Sequence, residues 1–212
     1  MNLPIRLVAT ALLGMALAGP ALAGGLTIRL VDASGRPVSD AVVTLRPNGS
    51  APPPMRAGGP YRVEQKDIAF HPFVSLVPVG ATVAFPNLDP FKHHVYSFSP
   101  AKRFELKLFA RDELRSVTFD RPGVVSIGCN IHDSMSAYIF VTDTAWAMRS
   151  GASGAVTFRD TPAGPFTLAV WHPYLRSPGN VQTTVMSPAA PDRSQTITLR
   201  LRPPPMRDMG GY

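Results

Sequence analysis

Apolar residues recur at every second position in short runs along this chain, and no stretch sustains the period of an amphipathic helix. Leu26 to Val31 alternates and stops at Asp32-Ala33-Ser34-Gly35, and Ala41 to Leu45 is the next run. Ser50-Ala51-Pro52-Pro53-Pro54 and Gly58-Gly59-Pro60 bracket a linker. Strands are then predicted over Tyr61 to Phe70, Phe73 to Val77, Ala81 to Phe85, His93 to Phe98, Phe104 to Leu108, Arg115 to Phe119, Val124 to Gly128 and Ala137 to Val141. That is the strand count of one Greek-key sandwich. After Thr142 the texture changes: Ala155 to Phe158, Phe166 to Trp171 and Gln195 to Leu201 are strands separated by Gly- and Pro-rich turns. Ser187 to Ser194 is expected to be a mobile loop, and 203–212 a disordered tail. The pattern predicts an all-β protein.

The first residues read differently. Arg6, the apolar stretch Leu7 to Leu17 and the small-x-small site Ala21-Leu22-Ala23 form an export signal over 1–23, with the mature chain starting at Gly24. The apolar stretch is too short to span a bilayer, and Gly19-Pro20 interrupts it. The expected location is therefore the periplasm, with no membrane span after cleavage. The formal charge of +7 is scattered, and basic runs interleaved with aromatics are lacking, which argues against a nucleic-acid partner.

The single cysteine changes the picture most. In an exported protein it cannot form an internal disulfide, and it lies in Gly128-Cys129-Asn130-Ile131-His132-Asp133-Ser134-Met135. Thiolate, imidazole and thioether within seven residues are soft ligands of the kind copper selects. Val125 and Ile127 alternate on one strand face, so Cys129 continues that face inward at the strand's end. Upstream, Asn87-Leu88-Asp89-Pro90-Phe91-Lys92-His93-His94-Val95 offers a histidine pair. On a strand these face opposite ways, so one of the two ligates, and phasing with Phe98 favours His94. The two segments together supply the trigonal His2Cys set with a weak axial Met of a blue-copper centre. His71 and His172 lack such spacing and read as structural. Trp146 and Trp171 are candidates for sugar stacking, with core packing the expected use.

Residues 61–142 resemble the cupredoxins, of the plastocyanin and amicyanin kind. Asn87-x5-His93-x-Val95 is similar to the segment that carries that family's first copper ligand, and Cys129-x2-His132-x2-Met135 to the short ligand loop of amicyanin. The resemblance implies one type 1 copper ion held by His93, Cys129, His132 and Met135, with His94 the alternative to His93. It also implies that Asn87 braces the ligand loop. Val31 to Leu45 and Asp160 to Leu168 resemble the two parts of a carboxypeptidase regulatory-like β-domain, a fold sharing architecture with carbohydrate-binding modules. The whole arrangement resembles proteins labelled methylamine-utilization proteins. The expected fold is a Greek-key cupredoxin sandwich (61–142) with a second small β-sandwich built from the flanks (24–50 and 143–202), joined by the linker 51–60. The expected function is electron transfer to or from a periplasmic dehydrogenase or c-type cytochrome, not an enzyme activity. Copper storage or delivery, and a carbohydrate- or surface-binding module with a metal-free cupredoxin lobe, are the alternatives.

Overall fold

The structure, a computed structural model, describes residues 25–111, 113–187 and 193–204. The export signal and most of the tail lie outside the described residues, as does the middle of the loop expected at Ser187 to Ser194. Among the described residues no helix is long and apolar enough to cross a membrane.

Among the described residues seventeen strands are formed. They are β1 (Leu26–Asp32), β2 (Val42–Pro47), β3 (Tyr61–Arg62), β4 (Glu64–Lys66), β5 (Ala69–His71), β6 (Val74–Pro78), β7 (Ala81–Phe85), β8 (His93–Ser99) and β9 (Lys102–Phe109). After them come β10 (Arg115–Phe119), β11 (Gly123–Gly128), β12 (Ser136–Thr142), β13 (Ala147–Arg149), β14 (Ala155–Phe158), β15 (Phe166–Trp171), β16 (Val181–Met186) and β17 (Arg193–Leu199). The protein is all-β.

The central segment makes two sheets, β6-β12-β11-β8-β9 and β10-β7-β3, with the small hairpin β4-β5 beside them. The flanks make two more, β14-β1-β17 and β13-β2-β15-β16. Strand β1 pairs antiparallel with β14 and parallel with β17, while β2 pairs antiparallel with β13 and β15, so each flank completes the other.

Period-two alternation stacks these sheets. Val43 and Leu45 of β2 join Phe166, Leu168 and Val170 of β15 in the flanking core, together with Ile28, Leu30 and Leu199 from the opposed sheet. Val42 and Trp171, on the other face of the same sheet, meet Val74, Tyr138, Phe140 and Val124 of the central lobe. On that lobe's inner face, Ala137, Ile139 and Val141 of β12 and Val125 and Ile127 of β11 pack against Val83, Phe85 and Phe119. Three apolar layers between four sheets hold the molecule together. Each fully buried large aliphatic or aromatic side chain contributes about 1.5–3 kcal/mol.

Three sequence expectations are corrected. The run Tyr61 to Phe70 is not one strand: Asp67 and Ile68 both take φ 55° and turn the chain between β4 and β5. Strands β13 and β16 were not expected, because β13 is short and β16 buries Met186 alone. The end of the expected mobile loop is ordered, since Arg193 and Ser194 pair with Leu26 and Thr27.

Candidate metal centre

Strand β11 delivers the cysteine. Val125 and Ile127 face the core, and Cys129, one residue beyond the strand, continues that face at 3% exposure. Gly128 allows close strand approach there, because a Cβ would lie 3.1 Å from the Tyr96 ring of the paired strand β8. The loop after Cys129 folds back on itself. The Cys129 N–H donates to the Met135 carbonyl at 3.2 Å, and the Met135 N–H donates to the His132 carbonyl at 2.9 Å. Met135 is thereby buried in the same core as Cys129.

His93 opens β8 and is fully buried. Its Nδ1 lies 3.8 Å from Cys129 Sγ, and His132 Nδ1 lies 3.8 Å from the same sulfur. His93, Cys129 and His132 form the group of potential metal-ligating side chains among the described residues, with their ligand atoms all within 4.8 Å of one another. His94 is not part of it. Alternation turns it to the other face of β8, where Nε2 meets Glu105 Oε1 at 2.9 Å and the ring lies beside Tyr96.

The donor set fits a metal ion. A first-row metal bound at about 2.3 Å to thiolate sulfur and about 2.05 Å to imidazole nitrogen, at trigonal angles, separates S from N by about 3.8 Å. A thiol proton can serve one nitrogen at a time, whereas two nitrogens stand at that distance here. Thiolate with two imidazoles and a nearby thioether suits copper.

The loop before β8 is braced from within. Asn87 is fully buried; its Nδ2 donates to the carbonyls of Phe91 (2.8 Å) and Phe109 (3.2 Å), and its Oδ1 accepts from the Asp89 N–H at 3.0 Å. Asp89, which the sequence reading left without a role, places Oδ2 2.7 Å from His93 Nε2. The N–H groups of Asp67 and Ile68 also donate to its carboxylate, at 2.8 and 3.2 Å. Burial alone would raise the Asp89 carboxyl, but the hydrogen bonds from His93, Ile68 and Asp67 outweigh it and hold it below the usual range. An acidic residue four positions before a candidate ligand histidine is the signal that would have singled it out. The turn at Asp67 and Ile68 leaves no such mark.

His132 is partly exposed, and burial, followed by the neighbouring His93, lowers its pKa, with Asp89 opposing. Phe91 lies against both rings, 5.1 Å from His93 and 5.6 Å from His132 between centroids. His71 is exposed on β5, remote in role from this cluster. His172 is buried in the flanking lobe, where its Nδ1 accepts from the Tyr174 N–H at 3.1 Å. Trp171 is buried against Tyr138 and Phe140, and Trp146 packs half-buried on the flanking core.

No protein-family model matches the chain, and no curated protein matches it. Solved structures do. A Cu-containing nitrite reductase from Thermus scotoductus is 25% identical over 55% of this chain and 28% of its own length, with a TM-score of 0.39. The chain thus spans just over a quarter of that protein. A purple cupredoxin from Nitrosopumilus maritimus is 19% identical over 39% of this chain and 99% of its own, with a TM-score of 0.35. A mutant of amicyanin in its Cu(I) form is 22% identical over 47% of this chain and 98% of its own, with a TM-score of 0.37.

Proposed function

We propose that this is an exported mononuclear type 1 copper protein that carries single electrons between periplasmic redox partners, a dehydrogenase or a c-type cytochrome being the partner class. The observation that carries the reading is the meeting of His93 Nδ1 and His132 Nδ1, each 3.8 Å from Cys129 Sγ, in a buried β-sheet setting. A copper ion bound there would supply a one-electron Cu(II)/Cu(I) couple.

The protein's own residues do the rest. Cys129 would offer the thiolate, His93 and His132 their Nδ1 atoms, and Met135 its thioether sulfur. Rigid strands β8 and β11 and the looped hydrogen bonds of Cys129 and Met135 hold these donors, so little rearranges when charge changes. His132 is the ligand that reaches the surface, and the exposed apolar side chains of Leu88, Phe91 and Ile131 on the two ligand loops suit brief contact with a partner. The flanking lobe then serves as a scaffold, its tryptophans turned inward.

Optical and EPR spectra of the copper-loaded protein test this. The wild type should show intense thiolate-to-Cu(II) colour, and Cys129→Ser should abolish it even where copper still binds. His93→Asn should bleach the site and His94→Asn should not. Met135→Leu should keep the colour and raise the reduction potential. A colourless oxidised wild type would favour Cu(I) storage or delivery, or a metal-free binding module.

A further inference from the structure

The side chain of Asp89 is buried and reaches the ligand histidine from behind. His93 presents Nδ1 to Cys129 at 3.8 Å and Nε2 to Asp89 Oδ2 at 2.7 Å. A carboxylate accepts and does not donate, so Nε2 carries a proton, and in the neutral ring Nδ1 is left with a bare lone pair. That lone pair points where His132 Nδ1 and Cys129 Sγ also converge. Of the two imidazoles that meet Cys129, His93 is the one for which a carboxylate partner is seen, at Asp89.

The carboxylate is itself held from outside the ligand loops. The N–H groups of Asp67 and Ile68, at the tip of the β4-β5 hairpin, donate to Oδ1 at 2.8 Å and Oδ2 at 3.2 Å. Both residues lie in the left-handed region, at φ 55°. A β-branched residue is held there at a cost of about 1–2 kcal/mol, which persists where surrounding contacts over-determine the turn. The turn, Asp89, His93 and the metal position form one connected line. Asn87 fixes its midpoint by accepting from the Asp89 N–H at 3.0 Å.

We propose that Asp89, clamped by the Asp67–Ile68 turn, is a positioning residue of the metal centre. It fixes the His93 tautomer and adds electron density to Nδ1, so that the centre favours Cu(II) more than it would behind a neutral hydrogen-bond acceptor. This rests on the copper reading above.

The test pairs Asp89→Asn, which keeps an acceptor and removes the charge, with Asp89→Leu, which removes both. Both should raise the reduction potential, and Asp89→Leu should weaken Cu(II) binding by about 10–100-fold. A tenfold loss confined to Cu(II) equals a rise of about 59 mV in a one-electron couple. Side-chain nitrogen NMR of the metal-free protein gives a second readout: His93 should be Nε2-protonated in the wild type and mixed in Asp89→Leu. The Asn variant keeps the test open if the Leu variant fails to fold. A coloured wild type whose potential and Cu(II) affinity are unchanged in both variants, with the tautomer also unchanged, overturns the proposal and leaves the copper reading intact. A colourless wild type sinks the copper reading instead, and the tautomer alone then decides whether Asp89 orients His93.

Discussion

At the scale of single residues, the centre is decided by which way a few polar atoms point. His93 and His94 are neighbours in sequence and share a side-chain type, yet one meets Cys129 and the other Glu105. Strand alternation separates them, and the carboxylate of Asp89 settles which nitrogen of His93 faces the sulfur. Ile68 shows what such positioning costs locally. It is 41% exposed and lies in no apolar core, so its left-handed backbone is compensated by little burial. Ile68→Asn should therefore stabilise the protein by about 1 kcal/mol, read as a rise in the urea midpoint, because asparagine tolerates that conformation. The N–H that Asp89 accepts is kept in this variant, so the colour of the copper-loaded protein should not change.

At the scale of elements, β8 and β11 set the spacing between His93 and Cys129. Their pairing at Gly128 and Tyr96 is tight enough that a methyl group at 128 would press on Tyr96 Cζ and its hydroxyl, both at 3.1 Å. Gly128→Ala should cost about 1–3 kcal/mol by overpacking. Adding Tyr96→Ala to it should recover part of that loss, a non-additive result in a thermal-unfolding double-mutant cycle. Costs that simply add would mean that the ring shifts freely and that the two strands do not set the ligand spacing. The loop from Cys129 to Met135 is a second such device: two backbone hydrogen bonds hold Cys129, His132 and Met135 together at one end of a sheet.

At the scale of the whole molecule, the flanking lobe is joined to the central lobe through an apolar layer, not merely through the linker. Trp171 sits in that layer at 4% exposure, its ring 5.7 Å from Tyr138 and 5.6 Å from Phe140 between centroids. Tyr138 and Phe140 belong to β12, whose opposite face carries Ala137, Ile139 and Val141 into the core shared with Cys129. Trp171→Ala should cost about 3–5 kcal/mol. It should also resolve calorimetric unfolding into two transitions where the wild type shows one. A single unsplit transition in the variant would mean that the lobes are coupled elsewhere.

Much of this was legible in the chain. Period-two runs marked most strands, since alternation between core and surface is a local consequence of the pleat. Cys129, His132 and Met135 lie close in sequence, so one turn suffices to bring them together, and their soft-donor chemistry can be read from residue type alone. Resemblance, not spacing, pointed to His93 over His94. The tertiary structure turned it towards the sulfur and left His94 on the far face of β8. The tertiary structure also decided what depends on distant pairing. Strands β13 and β16 exist because β2 and β15 offer them edges; their own sequences bury too little to announce them. The break in Tyr61 to Phe70 and the grip of Asp67 and Ile68 on Asp89 join residues more than twenty positions apart. No local pattern encodes a hydrogen bond of that reach. It forms because the folded sheets place a turn's free N–H groups over a buried carboxylate that must find partners.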